Sequence, residues 1–196
     1  MRPVARRLSL NHPIRETVVT AFVNRMVRAA MLDVSLYEEV EADKDAMWQA
    51  ILVVVLASIA SGIASVEQRG LYGLALLSLA ALFSWFVWAI LTYFIGAKLL
   101  PMPQTRSDPG ELLRTIGFSS SPGLIRVLGV IPVLHGPVML MASLWMLATM
   151  VVAVRQALDY TSTWRAIGVC LIGWLVQAIA LAGIAVLFLG GPERTP

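Results

Sequence analysis

Cysteine, histidine and charge are all scarce in this chain of 196 residues. The one cysteine, Cys170, excludes a disulfide within the chain. The two histidines, His12 and His135, are expected on opposite sides of a membrane, so we expect them not to share a site. Histidine pairs and thiolate clusters, the commonest centres of metal binding, are therefore not expected.

The motifs of common enzymes are also missing. The sequence has no glycine-rich phosphate loop, no metal-ligand spacing and no serine, histidine and aspartate set for nucleophilic catalysis. Every Asp and Glu lies at or beyond the end of an apolar run, so paired intramembrane aspartates are missing too. We therefore expect no enzyme, no cofactor and no metal ion.

Apolar sequence is what the chain has in abundance. Hydrophobic residues make up 58% of it, and the mean hydropathy is +0.78, whereas soluble domains are roughly half apolar. Five long apolar runs are separated by short polar connections, which predicts an all-α integral membrane protein of the cell membrane with five transmembrane helices. The net charge of +3 does not indicate nucleic acid, because the arginines flank the apolar runs instead of alternating with aromatic residues.

The chain is predicted to have three parts. Residues 1–45 form a cytoplasmic segment, residues 46–190 form the membrane domain, and residues 191–196 form a short extracytoplasmic tail. The predicted spans are residues 46–66, 71–96, 112–134, 137–154 and 166–189. Lysine and arginine crowd one side of these spans, which predicts a cytoplasmic N-terminus and an extracytoplasmic C-terminus.

The N-terminal segment has two patterns. Residues 13–32 place apolar side chains at i, i+4 and i+8 with arginines on another face, which predicts an amphipathic helix. Such a helix binds the headgroup layer of an anionic inner leaflet or packs on its own protein, and the pattern fits both. The acidic stretch 33–45 lacks the glycine and terminal glutamate of a calcium loop, so we expect a solvated lead into the first span.

The third predicted span is the unusual one. Asp108, Pro109 and Glu111 give it an N-cap, a first-turn proline and a capping-box glutamate. Ser121 and Pro122 repeat the start signal in mid-run, which predicts a helix broken between Ser119 and Gly123. The candidate polar site within the membrane comprises Ser119, Ser120, Ser121, Pro122, Gly123, Arg126, Gln177 and Glu67.

Arg126 has two interpretations in this span. It is a basic side chain that reaches toward the membrane surface and anchors a short helix, or a charge that faces an anion below the second helix start. A helix that starts in mid-membrane aims backbone N–H groups at such an anion. No carboxylate lies deep in a span, so Glu67 and Gln177 are the candidate side-chain partners.

Small residues mark faces for close helix packing. Packing within the chain is the first interpretation of these faces, and formation of a homodimer is the second. They are Ala57, Ser61, Gly62 and Ser65 in the first span, and Ala178, Ala182 and Gly183 in the fifth.

Four stretches of the chain read ELLRTIGF at residues 111–118, SPG at 121–123, AVRQAL at 153–158 and LYEEVE at 36–41. Together they resemble the bacterial branch of the Ypt-interacting-protein (Yip-one domain) family. The resemblance covers about residues 25–179 and implies five spans with a cytoplasmic N-terminus. Eukaryotic relatives bind prenylated Rab-type GTPases and carry Asp-Leu-Tyr-Gly-Pro before the first span, where this chain reads SLYEE at residues 35–39.

Two functions follow from these patterns. The first is a non-catalytic membrane scaffold or partner-binding subunit, held in the bilayer beside anionic inner-leaflet lipids and binding a membrane-protein partner or a second copy. The candidate residues of its cytoplasmic face are Tyr37, Glu38, Glu39, Glu41, Arg114, Arg155 and Asp159. The second is a small transporter or channel-like protein that uses the broken third span and Arg126.

Overall fold

The computed structural model describes residues 18–64 and 66–189, and the regular secondary structure in these ranges is entirely helical, without a strand. Residues 13–17 of the predicted N-terminal helix, Ser65 and the tail 191–196 lie outside the described residues. The α-helices of the described part are α1 Val18–Ala30, α2 Val34–Ala42, α3 Ala46–Ala64, α4 Val66–Tyr93, α5 Pro109–Ser119, α6 His135–Ala157 and α7 Thr163–Leu189. A π-helical turn, Phe94–Leu99, extends α4, and 3-10 segments cover Ser121–Val130 and Pro132–Leu134.

Three helical stretches are long and apolar enough to cross a membrane. Within the described ranges these are Ala46–Ala64, Ser78–Leu99 and Pro132–Ala157, and the shorter apolar helix Thr163–Ile179 is a fourth apolar stretch. A helix of about 20 apolar residues matches the thickness of the hydrocarbon layer. The described part of the chain is therefore all-helical with three candidate membrane-spanning helices, while the count of five and the orientation stay predictions.

The centre of the bundle is α5 and the 3-10 segment that follows it. Helix α5 begins as predicted, because Asp108 accepts from the N–H groups of Gly110 and Glu111 while Glu111 accepts from the N–H of Asp108. Ser120 ends it, and Pro122, which has no N–H to donate, lies in the first turn of the 3-10 segment. Ten residues of 3-10 helix are unusual, since runs beyond about four are uncommon.

Three glycines of this central element pack against three alanines of α3. A Cβ added to the first glycine would lie 2.7 Å from the Cβ of its alanine, and for the other two the distances are 3.1 and 3.3 Å. The pairs are Gly117 with Ala50, Gly123 with Ala57 and Gly129 with Ala64. Both residue numbers rise together, so the central element runs parallel to α3 and starts from the same side of the bundle.

Two loops meet at the end of the bundle where α5 begins. Thr105 Oγ1 donates to the oxygen of Leu158 at 2.9 Å, and the N–H of Arg106 donates to Asp159 Oδ2 at 3.1 Å. The Tyr160 hydroxyl lies 2.9 Å from the oxygen of Leu100. The loop before α5 and the turn after α6 therefore lie together, and we call this end of the molecule the loop end.

The acidic stretch differs from its predicted form. It was expected to be solvated, but it contains α2, whose Leu36, Tyr37 and Val40 are fully buried. Those three side chains lie on one helical face, and they pack with Ala46 and Phe118 in a hydrophobic core. Burial of this apolar face outweighs solvation of the carboxylates, which remain on the other faces of the helix.

Candidate partner-binding surface

Helix α2 is fixed to α1 by the side chain of Tyr37. The ring is fully buried, and its hydroxyl donates to the main-chain oxygen of Ala29 at 3.1 Å. Burial raises the pKa of this hydroxyl, so it stays protonated and keeps donating. The N-cap of α2 is Asp33, whose carboxylate accepts from the N–H of Ser35 at 3.0 Å.

Arg114 of α5 caps the other end of α2. Its side chain is only 5% exposed, and its Nε donates to the oxygen of Val40 at 2.8 Å while an Nη donates to the oxygen of Glu41. Carbonyl groups in the last turn of a helix have no intrahelical partner, and they carry the negative end of the helix dipole. A buried guanidinium thus satisfies two of these groups and joins α2 to the central element.

Two arginines of α1 bind the carboxylates around α2. Arg25 lies 2.8 Å from Glu39 and 2.9 Å from Asp43, and Arg28 lies 2.8 Å from Asp33 and 2.6 Å from Glu39. Burial opposes ionisation of Glu39, but its bonds with both arginines outweigh this and lower its pKa. A network of this kind fixes the angle between α1 and α2 more firmly than one exposed ion pair would.

A pocket of about 670 Å³ opens at the loop end between α2, α5 and the turn after α6. Its lining is rich in carboxylates and consists of Glu38, Glu41, Ala42, Gln104, Glu111, Arg155, Gln156, Asp159 and Tyr160. Burial, then the charges of Glu111 and Asp159, raise the pKa of Glu41 to about 7. No group of three His, Cys, Asp or Glu side chains suited to a metal ion occurs among the described residues.

The structure separates the predicted cytoplasmic face into three groups. Glu38, Glu41, Arg155 and Asp159 line the pocket together. Arg114 and Tyr37 are buried beneath it and hold α2 in place, and Glu39 faces α1. Gln104, Glu111, Gln156 and Tyr160 also line the pocket, although the sequence pattern does not predict them at this face. Of these four residues only Glu111 has a local sequence signal, which is its place in the capping box. That signal predicts the start of a helix but does not predict a pocket.

The serines of the predicted intramembrane site are bonded to nearby main chain. The hydroxyl of Ser119 donates to the oxygen of Ile116 and that of Ser121 to Phe118, both at 2.7 Å. The oxygen of Ser119 accepts from Thr149 Oγ1 of α6, also at 2.7 Å. Near the predicted break, Pro122 and Gly123 are buried and Ser120 is half-buried, so the break is closed by the protein's own groups.

Arg126 is bonded to Ser143 and not to Gln177, one of its two candidate partners. One Nη donates to Ser143 Oγ of α6 at 3.2 Å, and its Nε is buried with no hydrogen-bond partner. Gln177 instead donates to Ser84 Oγ of α4 at 2.9 Å. Glu67 lies in the first turn of α4, and its side chain is outside the described part of the chain.

The two predicted small-residue faces differ in use. On α3, Ala57 and Gly62 are buried, and Ala57 packs against Gly123. On α7, Ala178, Ala182 and Gly183 are exposed. Within the described residues, the first face therefore serves packing inside the chain, and the second does not.

Fold and surface together define a class: an all-helical protein with candidate membrane-spanning helices and, at one end, a short helix clamped over a carboxylate-lined pocket. Comparison with protein-family models, with curated proteins and with solved structures finds no match to this chain. The resemblance to the Yip family therefore stays a hypothesis based on the residues quoted above.

Proposed function

We propose that this protein is a five-span membrane scaffold of the Yip type, which binds a partner protein at the pocket beside α2. The observation that carries the proposal is the clamped position of α2. Arg114, Tyr37 and the arginine network hold this helix rigidly beside a pocket of about 670 Å³. Rigid surfaces bind partners with little loss of conformational entropy.

The central element supports the count of five spans. At the usual rises per residue, α5 and the 3-10 segment together extend about 36 Å, more than the roughly 30 Å of the hydrocarbon layer. The 27 residues of α7 extend about 40 Å on the same basis. The parallel register of the central element with α3 fits a third crossing in the same direction as the first.

Helix α1 is proposed to lie in the inner interface. Met26 and Ala29 pack on the bundle, while Val19, Val23 and Val27 form an adjacent exposed apolar stripe that suits the acyl boundary. Arg25 and Arg28 are paired with carboxylates, so burial of the valine stripe supplies most of the membrane affinity of α1. Attraction to anionic inner-leaflet lipids then depends on the other basic residues of this side.

The pocket chemistry indicates the kind of partner. The lining contains one cation, Arg155, and four carboxylates, which are those of Glu38, Glu41, Glu111 and Asp159. A segment bearing lysine or arginine complements this surface, and such complementarity speeds association and sets specificity. The partner is therefore proposed to present a basic segment at the cytoplasmic surface.

A photo-crosslinking experiment in native membranes tests this function. A photoreactive residue in place of Gln156, which lines the pocket, is expected to yield one discrete crosslinked protein. Glu38→Lys with Asp159→Lys should abolish that product, whereas Asp45→Lys, a charge reversal at an exposed position outside the lining, should leave most of it. An equal yield from the charge-reversed protein would show that the pocket does not bind the partner.

Transport has less support from the geometry. The serine hydroxyls near the predicted break donate to main-chain oxygens of the preceding turn, and Gln177 is bonded to Ser84. These groups are therefore occupied, whereas the Nε of Arg126 has no hydrogen-bond partner. One cation without a polar path does not favour a transport function over the scaffold.

A further inference from the structure

We propose that Arg126, held in position by Ser143, binds the phosphate of an anionic phospholipid from the leaflet opposite the loop end. This inference uses the membrane placement proposed above but does not depend on the partner at the pocket. Four observations lead to it: the position of Arg126 along the bundle, its unused donors, its apolar surroundings and the hydroxyl beside it.

Arg126 lies close to the end of the bundle that is opposite the loop end. It is one 3-10 turn before Gly129, which packs on Ala64, the last residue of α3, and whose oxygen lies 3.0 Å from His135 Nδ1 at the start of α6. Three residues of 3-10 helix rise about 6 Å. Ser143, which holds the guanidinium, is eight residues after His135, about 12 Å into α6 at the usual rise per residue. The guanidinium is therefore nearer to this end than to the loop end, and an arginine at such a depth draws a phosphate inward by local thinning of the bilayer.

The donors of Arg126 are largely unused. A guanidinium carries five N–H donors, and here one nitrogen binds Ser143 Oγ while the buried Nε binds nothing. All the ion pairs among the described residues belong to Arg25 and Arg28. The protein closes off the Nε, so the Nη groups, of which one binds Ser143 Oγ, are the donors that a phosphate can reach.

The exposed apolar side chains around Arg126 favour a phospholipid over a free phosphate ion. On the 3-10 segment Val127 and Leu128 are exposed, and on α6 Leu140 and Leu144 are 63% and 60% exposed. In a bilayer such side chains face acyl chains. A ligand that joins a phosphate to acyl chains covers both the cation and its apolar rim, which a free phosphate ion does not do. Arginine also matches phosphate oxygens in a bidentate manner.

Native mass spectrometry of the purified full-length protein tests the site with phosphatidylglycerol as the probe. The unmodified protein is expected to retain it about tenfold better than Arg126→Gln, which corresponds to loss of one charged hydrogen bond. Arg106→Gln removes an exposed arginine at the loop end and is expected to bind like the unmodified protein. Equal retention by Arg126→Gln and the unmodified protein would overturn the proposal.

Two further measurements separate the alternatives. Phosphatidylglycerol should raise the melting temperature of the unmodified protein in detergent more than inorganic phosphate does. Equal stabilisation by inorganic phosphate that is lost in Arg126→Gln would assign the site to a free anion and overturn the lipid. If Arg126→Gln does not fold, Ser143→Ala takes its place, with an expected loss of about threefold, because the guanidinium loses a hydrogen bond that positions it. Unchanged retention in Ser143→Ala would then contradict the proposal.

Discussion

The Nε of Arg114 donates to the main-chain oxygen of Val40 across 2.8 Å, although the two residues are 74 positions apart in the chain. The same guanidinium donates to Glu41. One side chain of α5 thereby holds the last turn of a helix that precedes the first apolar helix. The rigidity of the proposed partner surface depends on this contact, which makes it the first target for mutation.

Arg114→Leu is expected to release α2 from the bundle. Hydrogen bonds from charged groups contribute about 1.5–3 kcal/mol each, and both helix carbonyls lose their donor. In membrane vesicles whose outer surface carries the loop end, added protease should cleave around α2 at least about tenfold faster. Arg114→Lys is expected to give an intermediate rate, because one ammonium group does not reproduce the fork of a guanidinium. If Arg114→Leu is cleaved around α2 no faster than the unmodified protein, Arg114 does not hold α2 in place.

Gly117→Ala should destabilise the protein through the close approach of α3 and α5. The added methyl would lie 2.7 Å from the Cβ of Ala50 and 3.2 Å from its backbone, and overpacking of this kind costs about 1–3 kcal/mol. Gly168→Ala is the matched control, since nothing lies within 4 Å of that position. We expect its melting temperature in detergent to be unchanged or higher.

A second substitution distinguishes overpacking from other effects of Gly117→Ala. Ala50→Gly in the same protein removes the opposing methyl, so the double variant should recover a large part of the lost melting temperature. If the melting-temperature losses of Gly117→Ala and Ala50→Gly simply add in the double variant, the contact between residues 50 and 117 does not limit the approach of the helices.

Stability should fall as the pH rises through the titration of Glu41. Its ordinary pKa of 4.5 is raised to about 7 by burial and by Glu111, Asp159 and Glu38, with Arg114 opposing. The folded protein therefore holds a proton that the unfolded chain has released, and the loss of stability accumulates between these two values and is complete above them. Because Glu41 is only half-buried, we expect an effect of about 1 kcal/mol.

Glu41→Gln isolates this effect. The variant should lack the pH slope of the melting temperature between pH 4.5 and about 7, and it should be more stable than the unmodified protein on the alkaline side. Asp45→Asn, which changes an exposed carboxylate outside the pocket lining, is expected to keep the slope. A slope that persists in Glu41→Gln would assign the titration to another group.

Topology is tested by reporter fusions at Gln104, Asp159 and Pro196. Gln104 Nε2 donates to the oxygen of Asp159 at 3.3 Å, so the first two fusions must report the same side of the membrane. The excess of lysine and arginine predicts that this side is the cytoplasm and that Pro196 is outside. A cytoplasmic signal from the fusion at Pro196 would exclude an odd number of spans.

The helical class could be predicted because apolar runs and helix signals are local. The capping box at Asp108 appears as predicted, with both of its hydrogen bonds. The first apolar run was predicted to span residues 46–66, and α3 covers Ala46–Ala64. Each of these features depends on residues within one or two helical turns, so the sequence pattern contains the information.

The site was only partly predictable because it is assembled from distant segments. Nothing local indicates that Arg114 caps α2, since the two are brought together by packing of Leu36 and Tyr37 against the central element. The 3-10 form of residues 121–130 also escaped prediction. Proline and glycine mark where such a segment starts, whereas its tighter winding goes with the glycine contacts to α3.

The parallel packing of α3 and the central element has a consequence for biosynthesis. Ala50 and Gly117 are 67 positions apart, and α4 lies between them in the chain. When α3 and α4 leave the ribosome, the alanine face of α3 has no glycine to receive it until the central element follows. Helix α2 likewise has no donor from Arg114 for its last carbonyls until α5 has been synthesised. The alanine face of α3 and the last carbonyls of α2 therefore lack their partners in the nascent chain until translation passes residue 129. This interval is the time in which a chaperone of the insertion machinery can bind them.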